Sequence, residues 1–454
     1  MELLQQQKEY FATGQTLPVA FRLAMLKRLY KEIQTREKEI TTALQTDLGK
    51  SEFESVMCEV GMTLHEISYM IKHLKKWAKP KRVKTPLAQF PGKSYTLATP
   101  YGSVLIMSPW NYPFLLTLGP LCNAIAAGNT AIIKPSAYSP ATASLLQSII
   151  TNCFPPEYVA VVTGGRKENA FLLEQKFDFV FFTGSSTVGK EVLRHTAEHL
   201  TPAVLELGGK SPCIVDSTAN IPLAAKRIVF GKLLNCGQTC VAPDYILCDE
   251  TVKDQLVAEL KKQVVAQYGE NPFANPHYGK MINQKHYERV MGLIAKEKVV
   301  LGGTGNAETL QIAPTILDHV TWDDPVMQEE IFGPVLPILT YTQWEELFPL
   351  LQNKPKPLAL YLFTQNKTHI KEITHRISYG GGCINDVVVH LATTNMGFGG
   401  VGESGMGSYH GKVGFEAFSH KKSILHKKNW LDLPMRYQPY RSKLYDTLVR
   451  MFLK

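Results

Sequence analysis

The amino-acid sequence predicts an α/β protein with two parallel-sheet lobes. A chain of 454 residues is too long to fold around one simple hydrophobic core, so more than one lobe is expected. From Tyr101 onward, short apolar runs alternate with turns and helical segments, which is typical of parallel strands joined by crossover helices. The glycine pair Gly208-Gly209 separates a first series of such units from a second. We therefore place the change of lobe near Leu207–Gly209.

Each lobe has a predicted order of elements. An amphipathic helix at 19–46 comes first and is followed by a second helical stretch at 52–78. The first lobe then alternates strands with helices, the strands at 104–107, 131–133, 158–162 and 177–182 and the helices at 141–151 and 190–199. The second lobe repeats the pattern, with strands at 212–215 and 244–248 and helices at 221–234 and 251–268. The uncharged stretch between Lys93 and Lys134 is interrupted by prolines and glycines, so we interpret it as buried strands and turns rather than a membrane span.

The composition narrows the class of protein. Hydrophobic residues make up 44% and charged residues 20%, as in ordinary soluble domains. The net charge of +9 is mild for this length, and no basic tract with interleaved aromatic residues predicts a nucleic-acid surface. Eight scattered cysteines without a CxxC pair favour a reducing compartment, and the N-terminus lacks the pattern of a signal peptide. We therefore expect a cytoplasmic protein.

One thiol and one carboxylate stand in turn-forming segments. Cys240 lies in NCGQTCVAP (235–243), and Glu206 lies in LELGGKSP (205–212). A thiolate can attack a carbonyl carbon, and a carboxylate can activate the water that later releases the acyl group. Taken alone, Cys240 would be interpreted as a small buried hydrophobe, as most free cysteines are.

A glycine turn between a strand and a helix is a candidate phosphate site. The segment TGSSTVGK (183–190) follows an apolar strand, and a helix N-terminus offers N–H groups and a partial positive charge. The segment matches the start of a Walker A loop, G-x-x-x-x-G-K. In that loop the next residue is a serine or threonine whose hydroxyl binds magnesium, but here it is Glu191. This favours a pyrophosphate held without a metal and disfavours an NTPase.

Two patterns are weak metal candidates. His195 and His199 match H-x-x-E-H on one helix, yet no third ligand accompanies them, and Cys236 with Cys240 has no partner cluster. We predict no metal site.

Together, these segments resemble the aldehyde dehydrogenase family over nearly the whole chain. The Glu206 and Cys240 segments look like its two active-site signatures, PWNYP (109–113) like its oxyanion motif, and QEEIFGPV (328–335) like the motif that holds the nicotinamide ribose. The short N-terminus, NDV (385–387) and GMGSYHG (405–411) look most like the class 3 branch, which acts on fatty and aromatic aldehydes.

The resemblance implies catalytic roles. Cys240 would form a thiohemiacetal and then a thioester with the aldehyde. The Asn111 amide and the backbone N–H of Cys240 would hold the oxyanion. Glu206 would activate the water that hydrolyses the thioester. Tyr112, Phe114 and the loop 391–411 are expected to shape the substrate funnel.

The resemblance also implies NAD or NADP as cofactor. Lys134 would reach the adenosine ribose, and Gly184, Ser185 and Gly189 would face the pyrophosphate. Around the nicotinamide ribose we expect Glu330, Phe332 and Trp110. An acid that favours NAD is replaced here by Ala137, so a 2′-phosphate meets no repulsion and NADP is expected to serve at least comparably.

The implied architecture has three parts. They are an NAD(P)-binding domain at 1–85 and 103–207, a catalytic domain at 208–385, and a bridging and oligomerisation arm with the C-terminal tail at 86–102 and 386–454. The amphipathic tail 441–454 is a candidate for weak contact with a membrane surface, although packing on the protein itself or on the partner of an expected homodimer is favoured.

Two other functions stay open at this point. An enzyme of the same fold can pass the thioester to coenzyme A, which a water-activating Glu206 disfavours. A non-catalytic binding protein is disfavoured by the joint presence of Cys240, Glu206 and Asn111.

Overall fold

The computed structural model describes residues 2–440 and 442–452, without the side chains of residues 435 and 452. The helices are α1 Glu2–Ala12, α2 Val19–Thr35, α3 Glu37–Leu48, α4 Glu52–Ser55, α5 Gly61–Trp77, α6 Leu115–Ala127, α7 Pro140–Cys153, α8 Arg166–Leu173, α9 Ser186–His199, α10 Ile221–Leu233, α11 Lys253–Tyr268, α12 Gln284–Gly292, α13 Pro325–Gln328, α14 Leu347–Gln352, α15 Lys367–Arg376, α16 Gly411–Ala417 and α17 Lys443–Phe452. The strands are β1 Lys81–Val83, β2 Gly92–Pro100, β3 Ser103–Met107, β4 Thr130–Lys134, β5 Val159–Val161, β6 Phe179–Thr183, β7 Ala203–Glu206, β8 Pro212–Val215, β9 Tyr245–Asp249, β10 Val299–Leu301, β11 Gly305–Asn306, β12 Gln311–Ile312, β13 Thr315–Leu317, β14 Val335–Tyr341, β15 Ala359–Phe363, β16 Gly381–Ile384, β17 Gly405–Met406 and β18 Ser419–Lys427.

The first lobe is built on a six-stranded sheet with the order β17-β7-β6-β3-β4-β5. Its strands run parallel except β17, which pairs antiparallel with β7. Strands β3, β4 and β6 are buried along their whole length, because helices cover both faces of a parallel sheet. Buried apolar runs of this kind are what the sequence predicted for this lobe.

The second lobe contains a seven-stranded sheet with the order β10-β13-β14-β9-β8-β15-β16. Its pairs are parallel except β10 with β13. The chain leaves the first sheet after Glu206 and enters the second at Pro212. The predicted α/β class with two parallel-sheet lobes is confirmed.

A third sheet, β1-β2-β18, forms the arm and is antiparallel. Two strands fall outside the domain ranges that the sequence predicted for them. Strand β1 joins this sheet although it lies within 1–85, and β17 joins the first sheet although it lies within 386–454. Backbone pairing over a long sequence separation decides both positions, so local sequence carries no signal for them.

The uncharged stretch contains a helix that the sequence did not predict. Helix α6 is apolar on all sides and includes Pro120, and every residue from Thr117 to Ala127 is buried. A helix buried all round shows no apolar stripe, so periodicity misses it. Two further boundaries differ. The helix predicted at 19–46 breaks at Arg36, and the one at 52–78 contains a π-helical turn at Val56–Val60.

Candidate active site

The carboxyl ends of four adjacent parallel strands converge on one edge of the first sheet. Glu206 ends β7, opposite Thr183 at the end of β6, and Met107 at the end of β3 lies opposite Lys134 at the end of β4. Ligands of open α/β sheets bind outside this edge. The second lobe contributes the Cys240 turn to the same region, so the predicted acid, phosphate turn, oxyanion motif and lysine share one edge because of the sheet order.

The turn that precedes Cys240 has an unusual backbone. Asn235, Cys236 and Gly237 have φ of 50°, 52° and 76°, in the left-handed region. A Cβ at Gly237 would lie 2.2 Å from the carbonyl oxygen of Gly333, so glycine is required there. The Gln238 amide holds the turn by donating to the carbonyl oxygens of Asn235 and Lys280, at 2.9 and 3.0 Å. The turn is therefore a rigid support for the thiol.

Cys240 is half-buried and lies next to two carboxyl groups. Burial raises the pKa of its thiol to about 12, and repulsion from Glu330 and Glu206 adds to this. Backbone N–H groups of Cys240 and Val241 bond to the sulfur and act in the opposite direction. At neutral pH the sulfur is a thiol, so its attack on a carbonyl requires removal of the proton by a base.

The amide of Asn111 is fixed by the same turn. Its Nδ2 donates to the carbonyl oxygen of Gln238 at 3.1 Å. The backbone carbonyl oxygen of Asn111 accepts from Nδ2 of Asn235 at 2.8 Å and from Nζ of Lys50 at 2.9 Å. Asn111 is buried and tied to the segment that carries Cys240, as a group that stabilises a developing oxyanion must be.

A buried ion pair that the sequence did not predict lies behind Asn111. Nζ of Lys50 lies 2.5 Å from Oε1 of Glu59, both side chains are fully buried, and the ammonium stands 3.9 Å above the Tyr112 ring. Oε2 of Glu59 accepts from the backbone N–H groups of Phe114 and Leu115 at 2.8 and 3.2 Å. The pair thus connects helix α6 to the oxyanion segment. An acid on the apolar face of a helix was the signal that could have revealed it.

Glu206 is a buried carboxyl group whose two oxygens have no hydrogen-bond partner among the described residues. Burial raises its pKa well above the usual value for a glutamate. An unpaired buried carboxylate is unstable, so the group has a high affinity for a proton. Beside a thiol, such a group is suited to taking a proton from water or sulfur.

Glu330 and Phe332 lie where the two lobes meet. Gly208 lies two residues after Glu206, and a Cβ there would be 2.2 Å from Oε2 of Glu330. Glycine is therefore needed at position 208 to leave room for the Glu330 carboxylate. Burial, with repulsion from Asp244, raises the pKa of Glu330 to about 8. Phe332 packs edge-on against Trp110 with ring centres 5.4 Å apart.

Lys134 and Ala137 are the two residues predicted to lie near the adenosine ribose. Nζ of Lys134 donates to the carbonyl oxygens of Pro135 and Gly164 at 2.8 and 2.7 Å, and burial lowers its pKa. Ala137, three residues on, is exposed. Lys134 is therefore fixed at the strand end, and the position that would carry an acid faces solvent.

The glycine turn differs in part from its predicted role. Ser185 caps helix α9 by accepting from the backbone N–H of Val188 at 3.4 Å. The Gly184 N–H donates to the carbonyl oxygen of Glu206 at 3.0 Å, so the sheet uses it. Gly189 is buried, and a Cβ there would lie 2.7 Å from a methyl group of Leu207. Gly189 therefore permits close packing of helix on sheet, and its place at the pyrophosphate stays a prediction.

An apolar cavity of about 180 Å³ ends at Cys240. Tyr112 and the predicted loop contribute to it, whereas Phe114 is fully buried in the core and does not. The hydroxyl groups of Tyr112 and Thr239 bond to each other at 2.6 Å, so neither offers a free polar group to the cavity. Burial lowers the pKa of His410, another wall residue, to about 4 and keeps its ring neutral. We define the apolar cavity by this set: Met57, Cys58, Met62, Tyr112, Leu115, Leu116, Phe230, Leu234, Thr239, Cys240, Val241, Val388, Val389, Leu391, Ala392, Phe398, Tyr409 and His410.

The histidines of the H-x-x-E-H pattern lie on helix α9. Nε2 of His195 lies 3.3 Å from Oε1 of Glu191, one turn earlier. Over residues 2–440 and 442–452, no three His, Cys, Asp or Glu side chains are grouped as metal ligands would be.

Comparisons with known proteins agree on one family. The profile of the aldehyde dehydrogenase family matches residues 2–424. The 4,4′-diaponeurosporen-aldehyde dehydrogenase of Staphylococcus aureus (strain NCTC 8325 / PS 47) is 49% identical over 96% of this chain and 95% of its own length. The dimeric NADP-preferring aldehyde dehydrogenase of Canis lupus familiaris is 46% identical over 98% of both chains. Family 3 members from Arabidopsis thaliana and Rattus norvegicus are 42–44% identical.

Solved structures extend this agreement to the fold. The substrate-bound state of Staphylococcus aureus AldH superimposes with a TM-score of 0.98 at 47% identity, over 100% of this chain and 99% of that one. A Mycobacterium tuberculosis aldehyde dehydrogenase in complex with NAD+ gives a TM-score of 0.84 at 29% identity, over 94% and 90%.

Proposed function

The chain belongs to the aldehyde dehydrogenase family and oxidises aldehydes with NAD or NADP, and from this premise we propose that its substrates are medium- or long-chain aliphatic or aromatic aldehydes. We propose further that Cys240 carries the acyl group as a thioester and that Glu206 directs its hydrolysis. The apolar, uncharged cavity that ends at Cys240 is the observation that carries the substrate class.

The first step is addition of the Cys240 sulfur to the aldehyde carbon. The thiol proton passes to a base, and Glu206 is the buried acceptor that also raises the thiol pKa by repulsion. The carbonyl oxygen becomes an oxyanion, for which the Asn111 amide and the backbone N–H of Cys240 are the proposed donors. Asn111 is already in place, because its Nδ2 donates to the carbonyl oxygen of Gln238 and its backbone carbonyl oxygen accepts from Lys50 and Asn235.

The residues between the lobes fit a dinucleotide. A cavity of about 420 Å³ lies beside the start of α9 and is lined by Ser186, Gly208 and Glu330, among others. Gly208 leaves room for the Glu330 carboxylate, which suits it to bonding a ribose hydroxyl, and Lys134 lies at the strand end where the second ribose is expected. When bound, NAD(P)+ accepts the hydride that leaves the thiohemiacetal carbon.

Hydrolysis returns the enzyme to its starting state. Glu206 first passes the thiol proton to solvent, which is the proton that aldehyde oxidation releases. It then removes a proton from water, the resulting hydroxide adds to the thioester carbon, and the carboxylic acid leaves as the sulfur takes a proton back from Glu206. The unpartnered oxygens of Glu206 support this role, since a water molecule would supply the missing donors. Transfer to coenzyme A has no supporting observation, and neither does a non-catalytic role.

Substrate preference is expected to follow apolar length. In assays with NADP and straight-chain aldehydes from acetaldehyde to hexadecanal, kcat/KM should rise about fourfold per added methylene until the cavity is filled, because each buried methylene contributes about 0.8 kcal/mol. Absorbance of the reduced nicotinamide reports the rate, and added coenzyme A should leave it unchanged. A kcat/KM that falls from acetaldehyde onward would contradict the proposed class.

Cofactor choice is expected to depend on position 137. The wild-type protein should use NADP at least comparably to NAD, and Ala137→Glu should shift the ratio of kcat/KM values toward NAD by about tenfold or more, through a bond to the 2′-hydroxyl and repulsion of a 2′-phosphate. Ala137→Gln, which lacks the charge, is the matched control and should shift the ratio less. A wild-type preference for NAD of about a hundredfold, or more than 2 kcal/mol, would contradict the proposal.

The oligomeric state and location remain proposals. Within the described part of the chain, β16 and β18 are outer strands of their sheets, and most of β18 is exposed, which supports the predicted homodimer because open edges favour pairing with another chain. A cytoplasmic location is proposed from the scattered free cysteines.

Nothing supports the membrane contact predicted for the tail 441–454. Leu448 and Val449 of α17 line a cavity together with Leu87–Phe90 of the arm, as packing on the protein itself requires. Residues 441, 453 and 454 lie outside the described residues. Among the helices that the structure describes, none combines the length and apolarity needed to cross a bilayer.

A further inference from the structure

A second cavity adjoins the apolar cavity. It has a volume of about 150 Å³ and shares part of its wall with the apolar cavity. The shared residues are Met57, Met62, Leu115, Leu391, Ala392 and His410. The second cavity alone reaches Glu66, His65 and Thr394, whereas Cys240 lines only the first. An aldehyde that reacts at Cys240 therefore extends its far end toward a polar wall.

Glu66 is the unusual member of this wall. It lies on helix α5 and is buried. Its Oε1 accepts from the backbone N–H of Gly411 at 2.7 Å and from Nδ2 of Asn123 at 3.3 Å. Its Oε2 is buried and has no hydrogen-bond partner among the described residues. A buried carboxyl oxygen without a donor is destabilising, so this atom has a free binding capacity that the fold itself does not use.

The ring of His410 lies near Oε2 of Glu66 but does not bond to it. Its Nδ1 lies 3.9 Å from Oε2 of Glu66, which is too long for a hydrogen bond. A single oxygen atom about 2.8 Å from each would fit between them. The His410 ring is neutral, because burial lowers its pKa to about 4, so it offers one donor and one acceptor nitrogen. His410 holds this position with φ of 82°, in the left-handed region.

We propose that Glu66 and His410 form a distal hydroxyl site, which binds the terminal hydroxyl group of an ω-hydroxyaldehyde while its aldehyde carbon reacts at Cys240. This inference rests on the proposed function and adds a substrate class to it. The hydroxyl donates to Oε2 of Glu66 and accepts from the His410 ring, and the alkyl chain lies along the shared apolar wall.

A hydroxyl fits this site better than other end groups. A methyl group leaves Oε2 of Glu66 without a donor and displaces any water that would supply one. A carboxylate is repelled once Glu66 ionises, and an ammonium ion loses its hydration in a cavity whose remaining wall is apolar. A hydroxyl is neutral and both donates and accepts, which matches an acceptor oxygen beside a neutral imidazole.

Glu66 also has a structural role, because Oε1 holds the turn before helix α16. Glu66→Gln separates the two roles. The amide oxygen can keep the bonds from Gly411 and Asn123, while the NH2 group replaces Oε2 and turns an acceptor into a donor. Glu259→Gln is the matched control. Oε2 of Glu259 is likewise buried without a partner, but Glu259 lines neither cavity.

The experiment compares three series of aldehydes of equal length that end in methyl, hydroxyl or methoxy. Burial raises the pKa of Glu66 to about 7, so assays at about pH 8.5 keep its carboxylate in the acceptor form. The wild type should prefer the hydroxyl-ended over the methoxy-ended aldehyde by roughly three- to tenfold in kcat/KM at one chain length, the length that spans both cavities. In Glu66→Gln this ratio should fall to near one or invert, because methoxy accepts from the new NH2 group. Glu259→Gln should keep the wild-type ratio.

The outcomes separate this inference from the proposed function. If all three series are oxidised but the hydroxyl-to-methoxy ratio is the same in wild type and Glu66→Gln at every length, the distal hydroxyl site is wrong and the aldehyde oxidation stands. If methyl-ended aldehydes are oxidised no faster by wild type than by Cys240→Ser, the proposed function itself fails. A loss that is equal for all three end groups in Glu66→Gln would assign Glu66 a purely structural role and would also overturn the inference.

Discussion

Cys240→Ser is expected to lower kcat/KM for decanal by more than about a thousandfold, because a serine hydroxyl is a far weaker nucleophile than a thiolate and the site has no second thiol next to Glu206. The oxyanion donors and the apolar cavity stay in place, so the loss should appear in kcat. Absorbance of the reduced nicotinamide under steady state measures the effect.

Cys383→Ser is the matched control for this change. Cys383 is the other half-buried cysteine among the described residues, and it does not line the apolar cavity. It should keep wild-type rates within about twofold, as substitutions away from a site usually do. Equal activity of Cys240→Ser and Cys383→Ser would remove Cys240 from the reaction. The melting temperature of both variants should match that of the wild type, which excludes loss of fold as the cause.

Glu206→Gln is expected to slow release of the acyl group by on the order of a hundred- to ten-thousandfold, the usual contribution of a general base. In a stopped-flow experiment the variant should release one equivalent of reduced nicotinamide per active site and then almost stop. The burst itself should also become slower, since Glu206 is the proposed acceptor of the thiol proton. A steady rate without a burst, close to that of the wild type, would contradict the role.

The pKa shifts of Glu206 and Cys240 predict the direction in which activity changes with pH. Burial raises the pKa of Glu206 well above the usual value for a glutamate, so its base form increases over a higher range of pH than it would in an exposed glutamate. The pKa of Cys240, at about 12, acts in the same direction, because thiolate also increases with pH. Wild-type activity should therefore rise from neutral to alkaline pH. The deacylation rate of Glu206→Gln should lose the part of this rise that belongs to the carboxylate. A wild-type rate that falls over this range would be inconsistent with both groups.

Much of the fold could be predicted from short apolar runs bounded by turns. Strands such as β3, β4 and β6 are uniformly buried, so their composition alone marks them. Helix α6 could not be found in this way, because its burial on all sides removes the contrast between faces on which helix prediction depends. The pairing of β17 with β7 joins residues about 200 positions apart, and loop closure over such a distance leaves no local signal.

The residues of the candidate site also divide into those that the sequence predicts and those that only the fold brings together. Cys240, Glu206 and Asn111 stand in short motifs, so their resemblance to a family could be recognised from a few adjacent letters. Lys50 and Glu59, which hold Asn111 from behind, belong to no motif, and only the packing of the π-helical turn Val56–Val60 against the start of α6 brings them there. Gly189 was predicted at the phosphate because its spacing fits a loop pattern, but spacing does not tell which side of a helix meets Leu207.

The central step of the proposed reaction is the formation on Cys240 of an acyl thioester that is hydrolysed only with the help of Glu206. The direct measurement is the mass of the Glu206→Gln protein after brief incubation with decanal and NADP, followed by digestion and peptide mass analysis. We predict a mass increase equal to one decanoyl group on the peptide that contains Cys240, removable by hydroxylamine and absent in the double variant with Cys240→Ser. Reduced nicotinamide formed in one equivalent with no acyl group on that peptide, or with the group on another residue, would contradict the account.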